Sequence, residues 1–366
     1  MKEKRINFKS KTFYNLIFGL TILAILAKIY QYTFMKAYSF GIMSKILGWL
    51  NTTYIPKDNS YAFPLKIYRH INFFGFSTNL EWSIFWCVLM NVVFLILLLK
   101  YRSQYCRKEL IFIYASMFIL DVFVFNMNKD LIQLIIVLII YGIVNCSKLK
   151  NSIKIIMVSC ILLYESIVFR PYYILIAGLM ILCYFVLKKM LAKEKNDGKN
   201  NKVILIIVIL MISMFVGIFC TKFIFPDSYN QLIHRRDNLE NDIDANTLIT
   251  NWITGNSFEI YCLNYCINFI RICFPIELLL KGPFYIFFVI YQLFLTRNIL
   301  IGIKHMDKRI LCCMSFVLAY WLTLVASESD FGTLVRHQSI LFMFYMMIVR
   351  NNINIKVGRK LKNEEN

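Results

Sequence analysis

The chain has 366 residues, 59% of them hydrophobic, 16% aromatic and 17% charged. A soluble domain is only about 45 to 50% apolar, so this composition argues against a soluble globular fold and for a polytopic membrane protein. The formal net charge of +20 does not point to nucleic acid, because that inference needs the cations on one exposed face among stacking aromatics.

The basic start MKEKRINFKSK leads into an apolar run over residues 14–30 with no small-residue cleavage site behind it, so the first helix is expected to be retained. Runs long enough, or nearly so, to cross a bilayer follow at 14–34, 81–99, 109–127, 131–146, 153–169, 172–187, 203–221, 283–296, 310–326 and 338–349. This predicts an all-α integral membrane fold of about ten transmembrane helices, forming a single polytopic domain over 1–366. An eleventh run, 258–280, carries Glu259, Asn264, Asn268, Arg271, Pro275 and Glu277. It is expected to be an interfacial or re-entrant helix within a long outer loop, 222–282, since spans seldom bear that polar load.

Orientation follows from Lys and Arg in the short loops. With both termini inside, the cytoplasmic pieces hold 27 of the 41 Lys and Arg against seven acids, and the outer pieces hold thirteen against fourteen. The inner side is then +20 and the outer side close to neutral, so the net charge is a topology signal that calls for no polyanionic partner. An ordinary span at 258–280 would turn the KHMDKR loop outward. The tail 351–366 and the loop KEKNDGKNN are expected to be solvated and disordered. All six prolines fall in outer loops or at outer helix ends. Eleven cysteines, mostly inside hydrophobic runs, argue against a disulfide framework. Cys262, Cys266 and Cys273 share a helix face without a nearby histidine and are read as small apolar residues; no metal or cofactor is expected.

The polar residues at outer helix ends form the candidate site. Lys129 and Asp130 sit in the turn NMNKD, Arg170 sits in the turn FRPYY five residues after Glu165, and His234, Arg235 and Arg236 lie in the long loop. Glu328, Asp330, Arg336 and His337 lie in SESDFGTLVRHQ, a charged island between the last two apolar runs. Cations at an outer interface run against the positive-inside bias. An anion at headgroup depth would offset that cost, and a diphosphate needs several donors at once, which Arg supplies as a planar fork and Lys as a point charge. Each residue also has a plainer reading. Lys129 can snorkel to headgroups, Arg170 can pair with Glu165, and Arg235 and Arg236 can pair with the acids that surround them. The island can be a solvated hairpin tip, and Asp121 is read as a packing acceptor. There is no Gly-rich phosphate loop, GxSxG elbow or HExxH pair. An enzyme built this way would act at the outer face on an already activated substrate, as lipid-linked diphosphate sugars are.

The turns FNMNKDLIQ and FRPYY, the segment NYCINFIRICFPIELL after a long outer loop, and SESDFGTLVRH before the last helix together resemble the Wzy-like oligosaccharide repeat-unit polymerases, including the EpsG-type capsule and exopolysaccharide polymerases. The likeness covers most of the chain as a layout. It implies a helical fold similar to the integral-membrane glycosyltransferases of the GT-C kind, in the bacterial plasma membrane. It further implies polymerisation of undecaprenyl-diphosphate-linked repeat units at the outer face, alongside a flippase and a chain-length regulator, with no nucleic acid partner. In that family outer-loop arginines are thought to hold the donor diphosphate. Carried over, the match points to Lys129, Arg170 and Arg336, with His337 beside them, whereas the loop around Arg235 and Arg236 departs from the pattern. Glu328, Asp330 or His337 would take the proton of the attacking hydroxyl. Rival readings are a polysaccharide flippase or transporter, which should show repeats and mid-membrane charge; a membrane O-acyltransferase with His337 as base; and a non-catalytic assembly partner.

Overall fold

The computed structural model describes residues 2–34, 41–101, 105–193, 202–224, 226, 229–230, 247–255 and 257–364. Every extended element among them is a helix, and an isolated bridge pairs Leu248 with Asp330. The chain divides into two compact units, residues 1–138 with 168–170, and residues 139–167 with 171–366.

The first unit holds α1 (Lys2–Phe34), α2 (Gly41–Leu50), α3 (Asn59–Ile71), α4 (Asn79–Tyr101), α5 (Arg107–Phe123) and the start of α6 (Lys129–Asn145). Their beginnings are written in the sequence. Asp58 caps α3 by accepting from the Ser60 N–H at 2.8 Å. Thr78 and Glu81 form a reciprocal box at the start of α4, with the Thr78 N–H donating to Glu81 at 2.8 Å and the Glu81 N–H to the Thr78 hydroxyl at 3.2 Å. α1 packs on α5 and α4, and α2 on α3 and α4. Arg69 ties down the connection between α2 and α3 by donating to the Trp49 and Tyr54 carbonyls, both at 2.7 Å.

The second unit holds the rest of α6, α7 (Asn151–Val168), α8 (Tyr173–Lys193), α9 (Lys202–Ile224), α10 (Phe258–Cys273), α11 (Glu277–Leu280), α12 (Ile286–Lys304), α13 (Leu311–Ser327), α14 (Phe331–Ser339) and α15 (Phe342–Glu364). Every residue of α13 is buried, as expected for a helix that is apolar all round. α8, α10, α12 and α15 pack on it. Polar side chains join these helices. Trp321 donates to the Tyr345 hydroxyl at 2.6 Å, Tyr265 to the Leu322 carbonyl at 2.9 Å, and Asn352 to the Asn298 carbonyl at 2.9 Å. Bonds of this kind between membrane helices average roughly 0.6 kcal/mol each. α15 continues to Glu364, through most of the tail expected to be disordered.

Among the described residues, five helices are long and apolar enough to cross a membrane: Phe13–Phe34, Asn79–Lys100, Asn151–Val168, Tyr173–Ala192 and Ile286–Lys304. A sixth is the pair α14 and α15 if their 75° bend lies within one span. At the bend the Ser339 hydroxyl donates to the Arg336 carbonyl at 2.7 Å, a side chain inserted where the helical ladder breaks. The chain is thus an all-helical, multi-pass membrane protein.

Candidate functional site

Two of the expected cations lie in the first unit, around the turn between α5 and α6. The two asparagines of NMNKD build it. The Asn126 amide donates to the Val122 carbonyl at 3.0 Å, and Asn128 donates to the Phe123 carbonyl at 2.9 Å while accepting from the Leu131 N–H at 2.9 Å. Tyr68 of α3 reaches across and donates to the Asn128 carbonyl at 2.6 Å. Burial pushes its phenol well above the usual tyrosine range, so it stays a donor. On this base Lys129 is half-buried, its ammonium 4.6 Å from the centre of the Tyr61 ring, a cation–π distance. Arg170 is 5% exposed. Its guanidinium pairs with Asp130 at 3.0 Å, donates to Gln133 at 2.9 Å, and lies 4.9 Å from the Phe169 ring. Asp130 and Gln133 are three apart on α6 and so share a face.

Beneath the turn, Lys28 of α1 donates to the Asp121 and Phe125 carbonyls at 2.9 and 3.0 Å and to the Asn126 and Gln31 side chains at 2.9 and 3.1 Å. These carbonyls belong to the last turn of α5 and the residues after it, so the lysine acts as a cap at a helix C-terminus. Asp121 meets Asn91 at 2.6 Å and Cys87 at 3.2 Å, the packing role expected of it.

The charged island lies in the second unit, at the turn from α13 to α14. Glu328 and His337 are both buried, 2% and 6% exposed, with the His337 Nδ1 2.8 Å from Glu328 Oε1. Asp330 is the N-cap of α14. One of its oxygens accepts from the Thr333 N–H at 2.7 Å and the Thr333 hydroxyl at 3.0 Å, and the other accepts from the Thr247 hydroxyl. Two backbone bonds complete this junction: the Ile249 N–H donates to the Ser329 carbonyl at 2.7 Å, and the Phe331 N–H to the Thr247 carbonyl at 3.0 Å. Arg336 is half-buried. It and His337 lie in the last turn of the nine-residue α14 and not at the start of the final helix. Arg235 and Arg236 lie outside the described residues.

Residues 247–255 also explain the polar load of the 258–280 segment. Asn264, Asn268 and Arg271 fall at helical spacing on one face of α10. Asn264 brackets Ile253 by donating to its carbonyl at 2.8 Å and accepting from its N–H at 3.1 Å. Arg271 makes a two-pronged pair with Glu277, both bonds at 2.9 Å, and donates to Asn268 at 2.9 Å. Its guanidinium also lies 5.3 Å from the Trp252 ring.

Chemically, a carboxylate on Nδ1 fixes the imidazole tautomer and leaves Nε2 as the basic nitrogen. The His337–Glu328 pair therefore has the build of an oriented proton acceptor, while both oxygens of Asp330 are engaged, one by the Thr333 N–H and hydroxyl and the other by the Thr247 hydroxyl. Sequence reading did not find Tyr68, Gln133, Thr247 or the Glu328–His337 bond. The cap was legible, since Asp330 precedes a helix with a hydroxyl residue three positions on. Compared with known protein families, with curated proteins and with solved structures, the chain matches none.

Proposed function

We propose that the chain is a membrane glycosyltransferase that polymerises undecaprenyl-diphosphate-linked oligosaccharide repeat units at the outer face of the bacterial plasma membrane. Its products would be capsular, exopolysaccharide or O-antigen chains. The reading takes all ten apolar runs as crossings, because each falls on a helix, and it takes the fold as GT-C-like on the resemblance of the motifs.

The observation that carries the reading is the buried His337–Glu328 pair one residue from Arg336, beside the 75° bend between α14 and α15. In the proposed step a hydroxyl oxygen of the acceptor repeat unit attacks the anomeric carbon of the donor, and the bond from that carbon to the lipid diphosphate breaks with inversion. The hydroxyl proton passes to His337 Nε2, and the leaving diphosphate keeps the bonding electron pair. Charge grows on that leaving oxygen, and Arg336 is the cation assigned to it, where a fixed donor contributes most. Lys129 and Arg170 are assigned to the diphosphate as the resemblance implies, and Arg235 and Arg236, in the long loop where the sequence departs from that pattern, are proposed for it on their charge alone.

Replacing Arg336 with Ala tests this. Cells carrying stably inserted Arg336→Ala protein are expected to accumulate single lipid-linked repeat units and to lack long polymer. Normal-length polymer would overturn the assignment, and polymer of normal length that has lost acyl groups would favour an O-acyltransferase instead.

A further inference from the structure

Trp82, Trp86 and Trp321 are buried and Trp49 is half-buried, whereas Trp252 is 65% exposed. It is nonetheless a fixed side chain. The Arg271 guanidinium lies over one face of its ring at 5.3 Å, a cation–π contact. Arg271 is itself only 8% exposed and is held by Glu277, Asn268 and the Thr250 carbonyl. With that face covered, the exposure of the indole lies on its opposite face and its edges.

The backbone on either side is pinned as well. Leu248 pairs with Asp330, the Ile249 N–H bonds to Ser329, and Asn264 brackets Ile253. From Leu248 to Trp252 is at most about 14 Å of extended chain, so the ring stands within a few linked sugar rings of the junction beside Glu328. Thr250 and Thr254, flanking Trp252 in the chain, are both exposed. A flat apolar face bordered by hydroxyls matches a pyranose, which has C–H bonds on its faces and hydroxyls around its rim. A hydrocarbon chain would match the indole and leave the hydroxyls unused. A ring already held in place also loses little freedom when a ligand stacks on it.

We propose that Trp252 is a stacking platform for a sugar of the acceptor repeat unit, set apart from the sugar whose hydroxyl meets His337. This rests on the polymerase reading and adds a contact to sugar, where that reading assigns residues to the diphosphate and the proton.

Repeat-unit oligosaccharides would be released from their lipid diphosphate by mild acid, and their binding to the full chain in nanodiscs measured by saturation-transfer NMR against empty nanodiscs. The free sugar carries neither lipid nor phosphate, so binding is scored whether or not the chain polymerises it. The parent protein is expected to bind, and Trp252→Ala to lose roughly three- to tenfold in affinity, the worth of one aromatic contact. Trp252→Phe, which keeps a flat ring, should recover most of it. Trp252→Ile, which keeps apolar bulk without a flat face, should behave as Trp252→Ala does. In polymerisation assays Trp252→Ala should raise KM for the acceptor and leave kcat nearly unchanged, as a loss of uniform binding does. No saturation transfer from the parent, or parent-like affinity in Trp252→Ala, would overturn the platform. So would Trp252→Ile matching the parent, the behaviour of a lipid anchor. Normal-length polymer from Arg336→Ala would instead overturn the polymerase reading, and the binding measurement would still decide the platform.

Discussion

A carboxylate in a membrane protein is stable only where donors meet its oxygens, and the donors that Glu328 and Asp330 find are of different kinds. Asp330 finds backbone and hydroxyl donors, Thr333 and Thr247, and so sets where α14 starts and where residues 247–249 dock. Glu328 finds a titratable ring. Substitutions should separate the two roles. Asp330→Ala removes an N-cap and is expected to lower stability by about 1 kcal/mol, read as a lower unfolding temperature in detergent, while Asp330→Asn, which can still cap, should fold and polymerise nearly as the parent does. Glu328→Gln should leave the protein inserted but slow polymerisation roughly 10²- to 10⁴-fold, the usual weight of an oriented acid–base group, measured as transfer rate on purified lipid-linked repeat units. Parent-like rates for Glu328→Gln would remove the pair from the mechanism. The sequence shows that charge gathers here but not which residue does what, because Glu328 and His337 lie nine positions apart across a turn that no helical period spans.

An element shows the same limit at the end of α5. The apolar pattern runs on to residue 127, yet the helix stops at Phe123. After it the Phe125 N–H reaches back to the Leu120 carbonyl at 2.8 Å, and the chain turns on Asn126 and Asn128. Hydropathy records that Val124, Phe125 and Met127 are buried, but it carries nothing about where the backbone bonds go. What closes this end is Lys28, a charge that hydropathy scores against α1. Replacing it with Met keeps the stem and removes the donor to two backbone carbonyls and two side-chain oxygens. At about 1–3 kcal/mol for each acceptor left buried without a partner, Lys28→Met is expected to cost several kcal/mol and to leave little inserted protein. Lys28→Arg should keep part of the cap and give an intermediate unfolding temperature. A Lys28→Met protein as stable as the parent would show that the cap contributes nothing.

For the whole molecule the question is how many helices cross the bilayer and which way the loops face. α5, α6 and α13 each have 17 residues, or roughly 25 Å at 1.5 Å per residue, just short of a hydrocarbon core about 30 Å thick. A helix that is surrounded by protein can cross at that length, because its ends meet polar protein groups and not lipid; α13, buried along all of its length, is such a helix. Counting α5, α6, α9, α13 and the bent α14–α15 pair with the five long spans gives the proposed ten, and on that count the excess of Lys and Arg in alternate loops predicts that both termini face the cytoplasm. The decisive segment is α10 with α11. If its polar face serves to hold residues 250–253, as the bonds from Asn264 and Arg271 indicate, the segment enters and leaves on one side. Phosphatase and fluorescent-protein fusions after Gly255 and after Gly282 should then both report the outer side, and a fusion after Lys308 should report the cytoplasm. Opposite signals at Gly255 and Gly282 would make α10 a crossing helix. That would invert every later loop and move Glu328, Arg336 and His337 to the cytoplasmic face, where an outer-face polymerase has no use for them.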